Sequence, residues 1–390
     1  MLLIDQPYIS DFLIKTIKEN NIPVISTAIA RDMISDQGLN WISEEEAQSI
    51  FRNKPDTALY TNSENAIGWI EKNLSFTKLP EQIQLFKNKF KFRELLQDVY
   101  PDFFFSRIKF NELRAFKAEL ISYPIIIKPT VGFFSLGVYK VDNKKAWEQT
   151  IKKIESDIFQ VKGAYPKEVI DIEEFIIEAC VEGKEYAVDC YFDKDGEPII
   201  LNILQHLFSS KDDLSDRVYS TSASIIEELK PKFEAFLSLI SHRGKLKNFP
   251  AHIEIRMDKN ENIFPIEVNP MRFGGWCTTG DLSWFAYGIN SYQYFLNALK
   301  PDWTQILESR KDKIYSNVVL DNTTGYDFNK IKSFDYDLLL NDFQKPLDLR
   351  KLKLPEYPVF GFLFTETKAE NERELKEILS ADLKKYVKLK

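Results

Sequence analysis

Two carboxylates and an amide lie on neighbouring segments whose residues alternate between apolar and polar. Glu254 lies in Ala251–Met257, and Glu267 and Asn269 lie in Ile263–Asn269. Since strand side chains alternate between faces, these segments predict a β-hairpin, and a four-residue turn would place Glu254 directly opposite Glu267. Two carboxylates and an amide oxygen would suit Mg²⁺, with phosphate oxygens and water completing its shell. Taken alone, a solvated polar sheet face explains the pattern equally well.

The other residues of the predicted hairpin follow the same alternation. His252 and Arg256 are expected on the face of Glu254. Phe264, Ile266 and Val268 are expected on the opposite, apolar face.

A lysine at the end of an apolar strand is a second candidate. Lys128 closes the run Ile125–Ile127 and precedes a turn bracketed by Gly132 and Gly137. A lysine beside such a turn can clamp a phosphate, although alone it is better explained as a surface lysine. The chain has neither GxxxxGK[ST] nor GxGxxG, so a Walker site and a nicotinamide or flavin site have no support.

A third candidate is the segment Glu178–Glu185, which has a carboxylate at each end. The backbone around Val181 is suited to an adenine edge, and the two carboxylates can accept from amino and hydroxyl donors. Charged strand ends are common, so this feature is weak by itself.

In order and spacing, the three features together resemble the ATP-grasp superfamily over roughly residues 87–299. Lys89 and Lys128 match its two nucleotide lysines. The adenine and ribose segment is matched by Glu178, Val181 and Glu185, and the metal ligands are matched by Glu254, Glu267 and Asn269.

Two departures from the family pattern concern the phosphate end of the site. Many relatives have Arg two residues after the metal Asn, whereas here Arg272 follows Asn269 by three. Whether Arg272 or Arg256 contacts the acyl phosphate is therefore left open. Phe133 and Phe134 replace small polar residues in the glycine turn, so Ser135 is the expected hydroxyl for the phosphates.

The resemblance implies an ATP-dependent carboxylate–amine ligase that uses ATP and Mg²⁺, with Mn²⁺ as a substitute ion. The γ-phosphoryl group would pass to a carboxylate, amino-acid-like in kind, and an amine would attack the resulting acyl phosphate. Arg272 and Lys128 are the expected catalytic residues. The alternatives are other ATP-grasp chemistry, such as carboxylation through carboxyphosphate, and a non-catalytic nucleotide-binding scaffold.

The elements around these motifs predict an α/β (α+β) chain with the ATP-grasp fold. An opening β-α-β pattern, with Ser10 as a helix N-cap, indicates an open α/β domain over 1–85. The ATP-grasp domain is expected over 86–300, with a mobile lid at about 120–201, and an α+β segment over 301–390. Helices are predicted over 87–97, 113–120, 232–240 and 282–288, the last preceded by a glycine-rich loop over 274–281.

Composition limits the partners. The 390 residues carry 52 Lys and Arg against 59 Asp and Glu, a net charge of −7, so a nucleic-acid partner is not expected. Three separated cysteines form no disulfide framework, which favours a cytoplasmic location. There is no apolar run of about 18 residues for a membrane span, and the opening residues do not resemble a signal peptide. Small-molecule carboxylate and amine substrates are the expected partners, and a homodimer is left open.

Overall fold

The structure is a computed structural model that describes residues 1–132, 137–161, 171–210, 213, 215–353, 357 and 359–390. Its N-terminal part is a four-stranded parallel sheet in the order β3-β2-β1-β4. Ser10 caps the first helix as predicted, because its side chain accepts from the N–H of Leu13. The strands are β1 (Leu2–Leu3), β2 (Val24–Ile25), β3 (Trp41–Ile42) and β4 (Tyr60–Thr61), and the helices are α1 (Asp11–Glu19), α2 (Ala28–Met33), α3 (Glu44–Asn53) and α4 (Ile67–Asn73).

Two helices replace the single one predicted over 87–97. Helix α5 (Leu79–Lys87) ends where α6 (Lys89–Leu95) begins. The residue between them, Asn88, has an extended backbone, and its side chain accepts from the N–H groups of Phe90 and Lys91. This N-cap starts a new helix whose first residue is Lys89.

A separate four-stranded antiparallel sheet follows, in the order β5-β8-β6-β7. It has its own hydrophobic core, in which Trp147 and Ile154 of its helix pack with Ile127 and Phe175 of its strands. The helix predicted over 113–120 is wrong, because two short 3-10 turns, Phe110–Ala115 and Ala118–Leu120, occupy that region. The elements are β5 (Phe105–Lys109), β6 (Ile125–Val131), β7 (Tyr139–Val141), α7 (Lys144–Val161) and β8 (Asp171–Ala179).

The largest sheet has eight strands in the order β13-β12-β9-β10-β11-β14-β17-β16. Its strands are β9 (Lys184–Phe192), β10 (Pro198–Leu207), β11 (Val218–Ser222), β12 (Phe249–Met257), β13 (Ile263–Pro270), β14 (Lys313–Asp321), β16 (Pro346–Lys351) and β17 (Val359–Lys368). A short pair, β15 (Ile331–Phe334) and β18 (Val387–Leu389), stands apart from it. The remaining helices are α8 (Ala223–Gly244), α9 (Thr278–Tyr287), α10 (Ser291–Leu296), α11 (Trp303–Glu308), α12 (Tyr336–Leu340) and α13 (Arg373–Ser380).

Two predicted helices have different bounds in the structure. The helix predicted over 232–240 runs from Ala223 to Gly244 and contains Pro231, and the side chain of Ser222 caps its start. The helix predicted over 282–288 begins at Thr278, so most of the predicted loop over 274–281 is a 3-10 turn (Gly275–Cys277) and the first turn of α9.

The hairpin of β12 and β13 pairs Glu254 with Glu267, as predicted. The route to that register differs, because the turn has five residues, 258–262, instead of four. The extra turn residue would shift the pairing by one position. A β-bulge at Ile266 restores the alignment, since Ile255 pairs with Pro265 while Glu254 pairs with Glu267.

The predicted α/β (α+β) class is confirmed, whereas the domain boundaries and the mobility of the lid stay predictions. Three strands beyond residue 301 belong to the eight-stranded sheet, so this sheet crosses the predicted boundary. Within the described residues, no helix combines the length and apolar composition that a bilayer crossing requires.

Candidate active site

A cavity of about 860 Å³ is lined by residues of the eight-stranded sheet and of the β5–β8 sheet. Every predicted site residue that the structure describes lies on its wall. They are Lys89, Lys128, Glu178, Val181, Glu185, Glu254, Glu267, Asn269 and Arg272. Ser135 lies outside the described residues. Residues separated by up to 183 positions in the sequence are thus brought to one site, while the role of each stays a prediction.

The facing carboxylates have opposite electrostatic environments. Lys89 Nζ lies 2.9 Å from Glu267 Oε2. Burial raises the pKa of Glu267, but the charge and hydrogen bond of Lys89 outweigh it and hold this pKa at about 2. Burial, and then the charges of Glu267 and Glu185, raise the pKa of Glu254 well above its ordinary value. A cation beside Glu254 would relieve this repulsion.

The donor set around these carboxylates fits a hard cation. Asn269 Nδ2 donates to Glu267 Oε1 at 3.2 Å, which leaves the amide oxygen of Asn269 able to accept. In the described part of the chain, no cluster of three or more His, Cys, Asp or Glu residues could hold a metal by itself. Two carboxylates and an amide oxygen are ligands of the kind that Mg²⁺ binds, with further oxygen ligands from phosphates and water.

Glu178 lies between two basic side chains. Its Oε1 lies 2.8 Å from Lys128 Nζ, and its Oε2 lies 2.7 Å from Arg93 Nε. Burial raises the pKa of Glu178, but the charges of Arg93 and then Lys128 prevail and hold it at about 2. Burial lowers the pKa of Lys128. Arg93 also donates to the carbonyl of Pro265 at 2.5 Å, so α6, β8 and β13 are joined at this point.

Glu185 is held by two neighbours on the same sheet face. His206 Nδ1 lies 2.9 Å from its Oε1, and Arg256 Nε lies 2.7 Å from its Oε2. Arg256 also donates to the carbonyl of Val181 at 2.8 Å. Arg256 is thereby fixed beside the predicted adenine and ribose segment.

Arg272 is held by a residue of the N-terminal part. Its Nη2 lies 2.7 Å from Glu64 Oε1, and Glu64 also forms an ion pair with Lys87. All three side chains are buried. Met271, with φ at +67°, turns the backbone just before Arg272, so the extra residue relative to the family spacing is accommodated in a left-handed position.

Comparison with known families agrees with this geometry. The family model for the ATP-grasp domain matches residues 121–280, which include β6, β8 and the β12–β13 hairpin. Residues 121–280 form an ATP-grasp domain. The resemblance inferred from the motifs is therefore confirmed, and no curated protein matches the chain.

Solved structures share the fold of the ATP-grasp domain and of the chain around it. The L-amino acid ligase from Bacillus licheniformis is 20% identical, covers 100% of this chain and 97% of its own, and has a TM-score of 0.68. The N5-carboxyaminoimidazole ribonucleotide synthetase from Thermotoga maritima is 16% identical, and the match covers 100% of this chain and 98% of that chain with a TM-score of 0.64. The biotin carboxylase from Campylobacter jejuni is 15% identical, and the match covers 94% of this chain and 87% of that chain with a TM-score of 0.62.

The hairpin face of the ATP-grasp domain differs from the prediction at one residue. Ile266 was expected on the core face, but it lines the cavity beside Glu267 and Asn269. The bulge causes this difference, because an extra residue in a strand breaks the strict alternation of faces. An apolar side chain is thus added to the wall of the cavity.

His252 lies on the cavity wall, as alternation predicts, and has a partner that the sequence did not indicate. Its Nδ1 is 2.7 Å from Oδ1 of Asp189, which is fully buried. The same oxygen accepts from the N–H of Gly274 at 3.2 Å. Nε2 of His252 is 3.9 Å from Glu254 Oε1, so Asp189 fixes the ring beside a predicted metal ligand.

Sequence reasoning missed the contribution to the site of Arg93, of Glu64 and of the C-terminal strands. Arg93 had a usable signal, because it follows Lys89 by four residues and therefore shares its helix face. Glu64 had none, since its partner Arg272 is 208 residues away. Strands β14 and β17 gave no chemical signal either, although both contribute residues to the cavity.

Proposed function

We propose that this chain is an ATP-dependent carboxylate–amine ligase acting on amino-acid-like substrates. The observation that carries the proposal is the pairing of Glu254 with Glu267 in one cavity with Lys89 and Lys128. Oxygen ligands for a divalent cation beside two buried ammonium groups suit a polyphosphate whose γ-phosphoryl group is transferred. The likeness to an L-amino acid ligase adds support for this type of ligase.

The nucleotide would lie along the segment from Glu178 to Glu185. Backbone groups near Val181 would meet the adenine edge, with Glu178 accepting from its amino group. Both oxygens of Glu185 already have partners, but a carboxylate has about four acceptor sites, so ribose hydroxyls can still be bound. Ile266 would contact the base from the opposite side.

The phosphates would lie between the lysines and the hairpin. Lys89 and Lys128 would donate to phosphate oxygens, and Ser135 is the proposed hydroxyl on the glycine turn. Glu254, Glu267 and Asn269 would hold Mg²⁺, or Mn²⁺ in its place, which when bound neutralises charge on the phosphates. Lys128 is proposed as catalytic because its charge would act on the transferred group.

Arg272 is the better candidate for the acyl phosphate contact. Arg256 is committed to Glu185 and to the carbonyl of Val181, at the adenine and ribose end. Arg272 follows strand β13, which carries Glu267 and Asn269, and its guanidinium donates to Glu64 Oε1 and to the carbonyl of Phe273. Its remaining donors can therefore meet a carboxylate or phosphate in the cavity.

The proposed reaction has two steps. A carboxylate oxygen of the first substrate attacks the γ-phosphorus, so ADP leaves and an acyl phosphate forms. The nitrogen of a neutral amine then attacks the acyl carbon, the carbon–oxygen bond to phosphate breaks, and the nitrogen loses a proton to give an amide. Water must be excluded meanwhile. The sheet of β5–β8, of which all strands except β5 lie within the proposed lid at about 120–201, is the element suited to cover the site.

The proposed setting is the cytoplasm, since all three cysteines are free and two of them are buried. Carboxylate and amine substrates would both be small molecules. The cavity is of the size that small-molecule sites commonly have.

ADP release over a panel of substrates tests the proposal. The purified chain is incubated with ATP, with and without Mg²⁺, and with the twenty L-amino acids singly and in pairs, and products are identified by mass spectrometry. We expect Mg²⁺-dependent ADP release that requires a carboxylate, and an amide product in the pairs that react. ADP release that requires bicarbonate and no other carboxylate would replace the proposal with carboxylation. Nucleotide binding without ADP release from any combination would favour a scaffold.

A further inference from the structure

One end of the cavity is formed by the C-terminal strands β14 and β17. Asn317, Val319 and Asp321 of β14 line it together with Val359 and Phe362 of β17, and these five residues are here called the distal wall. The three β14 residues occupy every second position of the strand, so their side chains share one face. Val319 pairs directly with Phe362, and Asp321 pairs with Val359, so the apolar side chains form a continuous patch.

Asn317 is the distinctive residue of the distal wall. It is 1% exposed, and its Oδ1 has no hydrogen-bond partner in the parts of the chain that the structure describes. Leaving a buried acceptor without a hydrogen bond is unfavourable. Its position on the cavity wall makes a donor on a bound molecule the natural partner.

Three carboxylates on β14 and on the segment before β11 line the cavity with Asn317, and one of them is paired with an arginine. Tyr219, which pairs with Asn317 across the β11–β14 ladder, donates its hydroxyl to Asp216 Oδ1 at 2.7 Å. Asp213 and Asp216 both line the cavity, and Asp321 is paired with Arg217 at 2.7 Å. The lysines and arginines lining the cavity among the described residues come from other elements. They are Lys89, Lys128, Lys140, Arg256 and Arg272.

We propose that the distal wall binds the acceptor amine of the ligase reaction, as an ammonium ion with an apolar side chain. Asn317 Oδ1 accepts from the ammonium group within the field of Asp216. The ammonium group then gives one proton to water, which leaves the neutral amine whose nitrogen attacks the acyl carbon. Val319 and Phe362 contact the apolar side chain. The role of this amine as a reactant rests on the proposed function, whereas the preference for an amine with an apolar side chain rests on the residues of the distal wall.

Saturation-transfer NMR with three probes of matched shape tests the preference without turnover. The probes are L-leucine, isopentylamine, which lacks the carboxylate, and 4-methylpentanoate, which lacks the amine. We expect the full-length protein to bind isopentylamine and L-leucine. Asn317→Leu and Phe362→Ala should each lower the affinity for isopentylamine about tenfold, because each removes one buried hydrogen bond or one apolar contact. Asn329→Leu, at an exposed position outside the cavity, should change nothing.

Asn317→Asp separates an ammonium from an anion at this wall. An added negative charge should keep or tighten the binding of isopentylamine. Equal weakening by Asn317→Asp and Asn317→Leu would overturn the proposal, as would binding of 4-methylpentanoate but not isopentylamine, or no amine binding at all. Circular dichroism on each variant identifies loss of fold, and Phe362→Ala provides an independent variant if Asn317→Leu does not fold.

Titration with a fluorescent ATP analogue on the same samples separates the two proposals. Amine binding without nucleotide binding would remove the proposed function and leave the distal wall. Nucleotide binding without amine binding would remove the proposal for the distal wall and leave the proposed function.

Discussion

Glu254 and Glu267 are paired across the β12–β13 ladder only because the bulge at Ile266 compensates for a five-residue turn. The same bulge turns Ile266 into the cavity. One local irregularity thus sets both the spacing of two carboxylates and the apolar contact beside them. Bulges are frequent next to active sites because they redirect side chains in this way.

Removing the lysine of β6 should weaken nucleotide binding. Lys128 is buried, so in the proposed complex its contact with a phosphate would be a charged hydrogen bond shielded from water. For Lys128→Ala we expect ATP affinity to fall by about 1.5–3 kcal/mol, roughly ten- to a hundredfold. Equilibrium titration with a fluorescent ATP analogue measures this, with exposed Lys109→Ala on β5 as the control. Equal affinity in both variants would contradict the assignment of Lys128.

The two candidate arginines should separate in steady-state kinetics. Arg272→Ala should lower kcat by about a hundredfold or more with little change in KM for ATP, because the contact is made with the reacting group. Arg256→Ala should chiefly raise KM for ATP, because it loosens Glu185 and the Val181 backbone. The reverse pattern would assign the reacting group to Arg256.

Glu64 should act through Arg272. For Glu64→Gln we expect a lower kcat, because Arg272 loses the carboxylate that holds it at 2.7 Å. A double-mutant cycle tests the connection, since residues that act together give non-additive effects. The double variant Glu64→Gln with Arg272→Ala should have nearly the kcat of Arg272→Ala alone. Full additivity of the two losses would show that Glu64 affects turnover by another route.

Glu178 should make part of the stability depend on pH. Its pKa is lowered to about 2 in the fold by Arg93 and Lys128, against the ordinary 4.5. The ionised form therefore contributes roughly 3 kcal/mol to the free energy of unfolding above pH 4.5, and this contribution is lost as the pH falls through 2. Denaturant unfolding should show Glu178→Gln less stable than the unmodified chain at pH 7, with a smaller difference at pH 3.

The control for this experiment is Glu182→Gln, at an exposed position on the same connection. Its unfolding free energy should track that of the unmodified chain at both pH values. A difference for Glu178→Gln that stays constant from pH 7 to pH 3 would contradict the low pKa.

Local sequence patterns predicted the parts of the fold that depend on near neighbours. Alternation placed His252, Glu254 and Arg256 on one face, and the side chain of Ser10 indicated the start of α1. The break at Asn88 was missed, because Lys87–Leu95 also reads as one helix until the capping side chain is considered. The bulge at Ile266 was missed because strict alternation assumes equal residue counts in both strands.

Contacts between distant segments could not be predicted from the residues alone. The ion pair of Arg272 with Glu64 and the placement of Asn317 on the cavity wall depend on how sheets and strands are arranged in space. Family spacing identified the residues of the cavity that match known motifs. It gave no information on the distal wall, where no motif was recognised.

Acyl phosphate trapping with hydroxylamine tests the role of the facing carboxylates most directly. The unmodified chain, Glu267→Gln and the exposed control Glu261→Gln are each incubated with ATP, Mg²⁺, hydroxylamine and the twenty L-amino acids. We expect hydroxamate from the unmodified chain and the control, and about a hundredfold less from Glu267→Gln with its fold intact by circular dichroism. Equal hydroxamate from all three proteins, or none from the unmodified chain, would contradict the account.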